Sequence, residues 1–138
     1  MNNEIRGNSA IPGTPYSGTS PRLMSVDSLV GNDVYNHQGD NLGGIKDMML
    51  DMHSGHVAYA VLSFGGIFGM GEKLFAVPWN ALKLDTAQER FLLDADKERL
   101  KNAPGFDKDN WPDMADQSWG QQIHKYYGTR HYSESLRP

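Results

Sequence analysis

Apolar residues occur in short runs that alternate with polar turns, and the longest run lies near the middle of the chain. Residues 57–64 are rich in β-branched and aromatic side chains and are apolar on both parities, which predicts a strand buried on both faces. After a connector that contains four glycines, residues 73–79 resume the β pattern and meet Pro78, a residue that interrupts strands. The two runs predict the central hairpin of a small, closed or strongly curled sheet.

Further short runs predict four more strands around this hairpin, at residues 33–35, 42–52, 81–84 and 91–94. Turn-forming segments separate them about every eight to twelve residues, a spacing typical of small barrels and sandwiches. Gly43 and Gly44 predict a bulge that helps the sheet curl. The chain is therefore expected to be all-β, with about six short and mainly antiparallel strands.

Two helices are predicted after the strands. Asp96 is a good N-cap for a short helix that continues to Lys101. Asp116 would cap a second helix, which Gly128 would end. One face of this second helix carries an apolar stripe made of Trp119, Ile123, Tyr126 and Tyr127.

Composition divides the chain into three parts. Residues 1–26 are rich in Pro, Gly, Ser, Thr and Asn and hold few apolar side chains, so we expect a disordered arm. Residues 27–101 carry the strand pattern of a barrel. Residues 102–138 differ in composition and are expected to form a C-terminal extension with the short amphipathic helix.

Overall composition indicates a protein that stays in solution. The chain has 138 residues, enough for one domain with a modest core, and its mean hydropathy is −0.58. No apolar run approaches the roughly 18 residues of a membrane helix, and no secretory signal pattern opens the chain. It has no cysteine, which excludes disulfides and thiol catalysis. We expect a cytoplasmic, bacterial-type protein without membrane insertion.

Charge is distributed unevenly around the net value of −4. Residues 27–114 hold eight Lys and Arg against fourteen Asp and Glu, a balance of −6, whereas each flanking segment is slightly positive. An acidic domain is repelled by the phosphate backbone of nucleic acids and by anionic membrane surfaces. Nucleic acid is therefore an unfavoured partner.

The glycine-rich connector is the first candidate site. Its spacing nearly matches a phosphate-binding loop, but Lys73 leads into a strand instead of a helix, which disfavours phosphate binding. A plain hairpin connector is one interpretation of this segment. Another is an adhesive apolar patch at one end of the barrel, made of Ile67, Phe68 and Met70.

Acidic and histidine side chains supply the remaining candidates. His37, His53 and His56 lie in turns, and no further ligand follows at a spacing typical of metal sites. Solvated turn residues are therefore favoured over a metal site. Residues 107–111 begin like a calcium loop but lack its glycine and its distal Glu. The pairs at residues 47 and 51 and at residues 94 and 96 are expected to be surface carboxylates instead of an acid–base pair. No catalytic residue, cofactor or metal is predicted, and the chain is not expected to be an enzyme.

Several segments together resemble the PRC-barrel family. They are LVGNDVYNHQGDNLGGIKDMMLD, then VAYAVLSFGGIFGMGEKLFAVPWNALKLD, then FLLDADKERLKNAPGFDKDNWPDM, and the likeness covers roughly residues 27–114. The tail WPDMADQSWGQQIHKYYG is similar to the extension of bacterial stand-alone members. The resemblance implies a small β-barrel that serves as an assembly module, as in the photosynthetic reaction-centre H subunit and a ribosome-maturation factor.

The leading functional hypothesis is a non-catalytic module that binds another protein or a second copy of itself. An RNA- or ribosome-associated factor is the alternative, by analogy with the ribosome-maturation protein. A protein that handles a small ligand or protons with its Asp and His residues is the third. The connector patch and the helix stripe favour a homo-oligomer, and a two-fold dimer is the commonest kind. Folding of the stripe over its own barrel is the competing interpretation.

Overall fold

The computed structural model describes residues 23–65, 72–85, 87–88 and 90–131. Within them a single curled, half-barrel sheet confirms the predicted fold class. Its six strands are β1 (Asp33–Tyr35), β2 (Asn41–Leu50), β3 (Val57–Phe64), β4 (Lys73–Pro78), β5 (Leu82–Asp85) and β6 (Arg90–Leu93). Their order is β4-β3-β2-β1-β6-β5. Strands β1 and β6 are parallel, and every other neighbouring pair is antiparallel.

Four helical segments are present among the described residues, and the two that the sequence predicts begin at their predicted capping residues, Asp96 and Asp116. Helix α1 is a single turn, Val26–Leu29, α2 spans Lys97–Lys101, α3 spans Gln117–Tyr127, and a short 3-10 helix covers Trp79–Ala81. The Asp96 side chain accepts a hydrogen bond from the Arg99 amide at 2.7 Å. Gly128 ends α3 in the left-handed conformation, at a φ of 71°. Both predictions are confirmed because capping depends on local chemistry.

The hairpin formed by β3 and β4 lies at one end of the sheet, so the prediction that it is central is wrong. Its burial on both faces is nevertheless correct, because two different cores form on the two sides. Leu62 and Phe75 belong to the main core inside the curl. Tyr59 and Ala76 point to the opposite face, where helix α3 covers them. A strand at the edge of the sheet can therefore be as apolar as a central one.

Strand β4 is closed on its outer side by the segment that follows α2. Leu74 and Phe106 form an antiparallel bridge in which each backbone amide donates to the other residue's carbonyl, at 2.9 and 2.8 Å. The preceding Gly105 passes so close that a Cβ there would lie 2.8 Å from the Phe75 ring and 2.9 Å from the Leu74 carbonyl oxygen. Only glycine allows this approach.

The predicted bulge is present where β2 begins. Gly43 has a φ of 107°, and a Cβ on it would lie 2.2 Å from the carbonyl oxygen of Ser63 on β3. The β1–β2 register shifts between Asp33 and Tyr35, opposite this glycine pair. The sheet therefore bends at the position that the two adjacent glycines indicate.

The main core fills the inside of the curl and includes α2. Its largest members are fully or almost fully buried: Val34, Leu42, Ile45, Leu62, Phe75, Val77, Phe91, Leu93 and Leu100. All six strands except β5 contribute to it. Leu82 of β5 is only partly buried against this core, so β5 is the least covered strand.

Some predictions fall partly or wholly outside the described residues. These include the connector patch of Ile67, Phe68 and Met70, and the first 22 residues of the proposed arm. Inside the described part, α1 begins at Val26, which is the last residue assigned to the arm. Strand β2 ends at Leu50 instead of residue 52, because a turn closed by Asp51 begins there.

Candidate functional site

A groove of about 870 Å³ lies between helix α3 and the end of β2. Residues from three segments line it: the end of β2 and its turn, the loop before α3, and the residues that follow α3. Its volume is in the range of small-molecule sites. These segments are far apart in the sequence, and the hydrophobic pattern does not indicate that they meet, so the groove was not predicted.

The turn between β2 and β3 forms one wall and is fixed by an aspartate. The Asp51 carboxylate accepts hydrogen bonds from the amides of His53, at 2.8 Å, and Ser54, at 3.3 Å. The bond from His53 is the main cause that lowers the pKa of Asp51 below its ordinary value. Gly55 completes the turn at a φ of 80°. Asp51 therefore acts as a charged turn-former in this wall.

The opposite wall is the first turn of α3, where a second aspartate has the same role. Asp116 accepts hydrogen bonds from the Ser118 hydroxyl and the Ser118 amide, both at 2.9 Å. These bonds, the hydroxyl first, lower the pKa of Asp116. At the other end of the helix, the side-chain amide nitrogen Nδ2 of Asn80 donates to the Arg130 carbonyl at 2.8 Å and ties the chain to the barrel.

Aromatic and imidazole rings form the base of the groove. Tyr59 is buried and meets Trp119 edge to face, with ring centroids 5.2 Å apart. Burial raises the pKa of Tyr59, so its hydroxyl stays protonated. His124 is also buried, 5.8 Å from the Tyr59 ring centroid, and its Nδ1 shares a hydrogen bond with Thr129 Oγ1 at 2.8 Å. Ring contacts hold Tyr59 and Trp119 in place, and the hydrogen bond to Thr129 also holds His124.

The rim of the groove is apolar and open to solvent. Leu50 is 54% exposed and Met52 is 85% exposed, although both are large hydrophobic residues. The partly buried Met49 and Met114 continue the apolar surface inward. Methionine side chains adapt to partners of different shape, and such surfaces are common at binding sites. We call Met49, Leu50, Met52 and Met114 the methionine rim.

The predicted helix stripe lies elsewhere and is directed inward. Ile123 is fully buried against Tyr59 and Ala76, and Trp119 and Tyr127 pack on the same cluster. This corrects the expectation that the barrel leaves Ile123 unburied, and it supports the competing interpretation in which the stripe folds over its own sheet. An amphipathic pattern indicates that a face is apolar but does not identify what covers it.

The two tyrosines at the end of the stripe differ, and only Tyr126 fastens α3 to α2. The Tyr126 hydroxyl donates to the Arg99 carbonyl at 2.5 Å, and the Arg99 guanidinium donates to the Tyr126 carbonyl. The same guanidinium lies 4.4 Å from the centroid of the Tyr126 ring. Tyr127 is different: burial raises the pKa of its hydroxyl, which has no hydrogen-bond partner within the described residues.

The other candidate residues are dispersed. His37, His53 and His56 are exposed turn residues, and no three metal-binding side chains come together among the residues that the structure describes. Asp47, Asp94 and Asp96 are exposed, and Asp96 caps α2. Over the same residues, no helix is long and apolar enough to cross a membrane.

These features define a class: a small, curled β-sheet protein whose helical extension leaves a groove with an apolar rim. The sequence model of the PRC-barrel domain matches residues 21–100, and the chain belongs to this family. Comparison with curated proteins finds no match. The family match ends before α3, so the groove is formed jointly by the matched domain and the segment beyond it.

Proposed function

We propose that this chain is a non-catalytic assembly module that docks a partner protein through the methionine rim. The observation that carries the proposal is the solvent exposure of Leu50 and Met52 beside a groove. When a partner covers large apolar side chains at the edge of a concave site, their removal from water stabilises the complex. The partner is expected to present an apolar segment, because the rim itself is apolar.

The state of the acidic groups in the groove supports a non-catalytic role. Asp51 and Asp116 both have lowered pKa values, caused by hydrogen bonds that fix a turn and a helix end. A carboxyl group that works as a general acid near neutral pH needs a raised pKa. These carboxylates are therefore suited to holding the walls of the groove in place.

Charge supports a protein partner over RNA. Two acidic residues, Asp51 and Asp116, and two basic residues, Lys125 and Arg130, line the groove. Such a balanced surface offers no cationic track for phosphates, and residues 27–114 are acidic overall. RNA binding is tested by retention on immobilised RNA at increasing salt, and we expect no salt-sensitive retention.

A capture experiment tests the proposal. The tagged chain is used as bait in an extract of its native cell, beside a Leu50→Lys/Met52→Lys variant and a Leu84→Lys variant. Leu84 is 55% exposed on β5, away from the residues that line the groove, and so provides a matched control for Leu50. We expect a partner that the wild type and the Leu84 variant retain and that the rim variant loses. Equal retention by all three baits, or by none, contradicts the proposal.

A further inference from the structure

Strand β5 is the second edge of the sheet, and no strand of the described residues pairs with its outer side. It pairs with β6 alone among the strands of the described residues. Leu84 is opposite Phe91 of β6, which is buried in the main core, and directly opposed residues of antiparallel strands share a face. Leu84 therefore faces the core side of the sheet, yet it is 55% exposed. At this edge, the apolar face of the sheet therefore extends past the residues that cover the main core.

The residues on either side of Leu84 carry opposite charges. Lys83 and Asp85 are two positions apart, so both project from the face opposite to Leu84. Lys83 is exposed, and Asp85 is partly exposed beside Arg90, whose Nε lies 3.5 Å from its Oδ2. The strand therefore presents a cation and an anion on one face and an apolar side chain on the other.

This sequence is complementary to itself in one antiparallel register. When two copies of β5 pair with Leu84 opposite Leu84, Lys83 of each chain is opposite Asp85 of the other. Registers centred on Lys83 or on Asp85 instead place identical charges in opposition, which destabilises a strand pair. Lysine on an edge strand usually prevents pairing. Here the neighbouring aspartate makes the register centred on Leu84 favourable and the registers centred on Lys83 or on Asp85 unfavourable.

We propose that β5 pairs with β5 of a second copy of this chain, which forms an isologous two-fold dimer centred on Leu84. The inference rests on the proposed assembly function and names the surface used for self-association. It joins the two sheets through backbone hydrogen bonds, covers both Leu84 side chains and forms two Lys83–Asp85 pairs across the axis. The methionine rim uses other residues, so partner docking and self-association remain separable.

Light scattering over a range of micromolar concentrations tests the dimer. The wild type should approach twice the chain mass of 15.4 kDa. Leu84→Lys places two cations on the axis and should return the mass to that of one chain, whereas Leu50→Lys, at nearly equal exposure, should leave the dimer intact. A monomeric wild type, as when another part of the chain covers β5, overturns the proposal. A dimer that Leu84→Lys does not affect also overturns it.

Charge exchange tests the register independently. Lys83→Glu places like charges across the axis twice and should weaken dimerisation about tenfold. Asp85→Lys should do the same, provided that its thermal unfolding shows a folded chain, since Asp85 also accepts bonds from the Ala87 and Gln88 amides. A mixture of the two variants restores both opposite-charge pairs and should form a heterodimer. If Lys83→Glu dimerises as the wild type does, the register is wrong.

The two proposals fail in different ways. Loss of the dimer in Leu84→Lys with unchanged partner capture supports both. If capture depends on the rim but the wild type is monomeric, the β5 proposal is overturned and the docking proposal stands. If the dimer behaves as expected but no bait retains a partner, the docking proposal is overturned.

Discussion

Strands β4 and β5 both end the sheet, yet their surroundings differ. Five of the six residues of β4 are buried, its outer backbone pairs with Phe106, and α3 covers one of its faces. None of the four residues of β5 is buried. The comparison shows that neighbouring segments of the same chain bury one edge strand, β4, whereas the side chains of the other, β5, stay partly or largely exposed among the described residues.

The chain encodes this difference in its side chains. Strand β4 has the sequence KLFAVP, which is apolar on both parities, whereas β5 has the sequence LKLD, in which charges alternate with leucines. The first needs cover on both faces and receives it from the main core on one face and from α3 on the other, while the segment after α2 pairs with its outer edge. The second remains compatible with water and also matches a second copy of itself. Predictions for each edge follow from this contrast.

Removing the cover of β4 should have the largest effect on stability. Ile123→Ala leaves a cavity between α3 and the sheet and should lower the free energy of unfolding by about 2–5 kcal/mol. Leu84→Ala at the open edge should change it by about 0.5 kcal/mol or less. Urea unfolding of both variants, at a concentration where the chain is monomeric, checks the difference. Equal losses would mean that the two edges are protected alike.

The close approach of Gly105 offers a second way to disturb the covered edge. Gly105→Ala forces a methyl group against Phe75 and the backbone of Leu74 and should cost about 1–3 kcal/mol. Gly44→Ala is the control, because its methyl group would meet no atom closer than 3.5 Å. Thermal unfolding should separate the two variants clearly. A destabilisation of Gly44→Ala as large as that of Gly105→Ala would contradict this account of the closed edge.

Removing the hydroxyl should destabilise the fold at Tyr126 but not at the adjacent Tyr127. Tyr126→Phe loses the hydrogen bond to the Arg99 carbonyl and should cost about 0.5–1.5 kcal/mol. Tyr127→Phe removes a buried hydroxyl that has no hydrogen-bond partner in the described part of the chain, so stability should be unchanged or slightly higher. Urea unfolding of both variants measures this. Similar losses in the two would show that the Tyr127 hydroxyl has a partner in solution.

The smallest effect concerns pH. The folded state lowers the pKa of Asp116 below its ordinary value of 3.8, so ionised Asp116 stabilises the fold above that value. This contribution disappears as the pH falls through the lowered pKa. The melting temperatures of the wild type and Asp116→Ala should therefore differ at pH 6 and converge in strong acid. A constant difference at all pH values would exclude the ionised cap as the cause.

The sequence predicts those parts of the fold that depend on local chemistry. Asp96, Asp116 and Gly128 mark the ends of helices because each makes its capping hydrogen bonds within the adjacent helix turn. The bulge at Gly43 is predicted from two adjacent glycines, whereas the close approach of Gly43 to the Ser63 carbonyl on β3 is a contact distant in sequence. Family resemblance adds the fold, which the match over residues 21–100 confirms.

The position of the hairpin and the identity of the site could not be predicted, because both depend on contacts distant in sequence. A strand has the same apolar pattern whether strands flank it on both sides or a helix covers its face. The pattern of β4, whose face is covered by α3, therefore resembles that of a central strand. Ile123 carried a correct amphipathic signal that does not identify its neighbour. Leu50 and Met52 flank an aspartate turn, and this was the only local sign of the methionine rim.

Hydrogen exchange at two protein concentrations tests the contrast between the edges most directly. Backbone amides of β4 from Lys73 to Val77 should show the same protection at low and high concentration, because β4 is covered within its own chain. Amides of Leu82–Asp85 should become more protected as the concentration rises through the dimerisation range, since a second copy covers them. Protection of β5 that does not depend on concentration, in a chain that dimerises, would contradict the account.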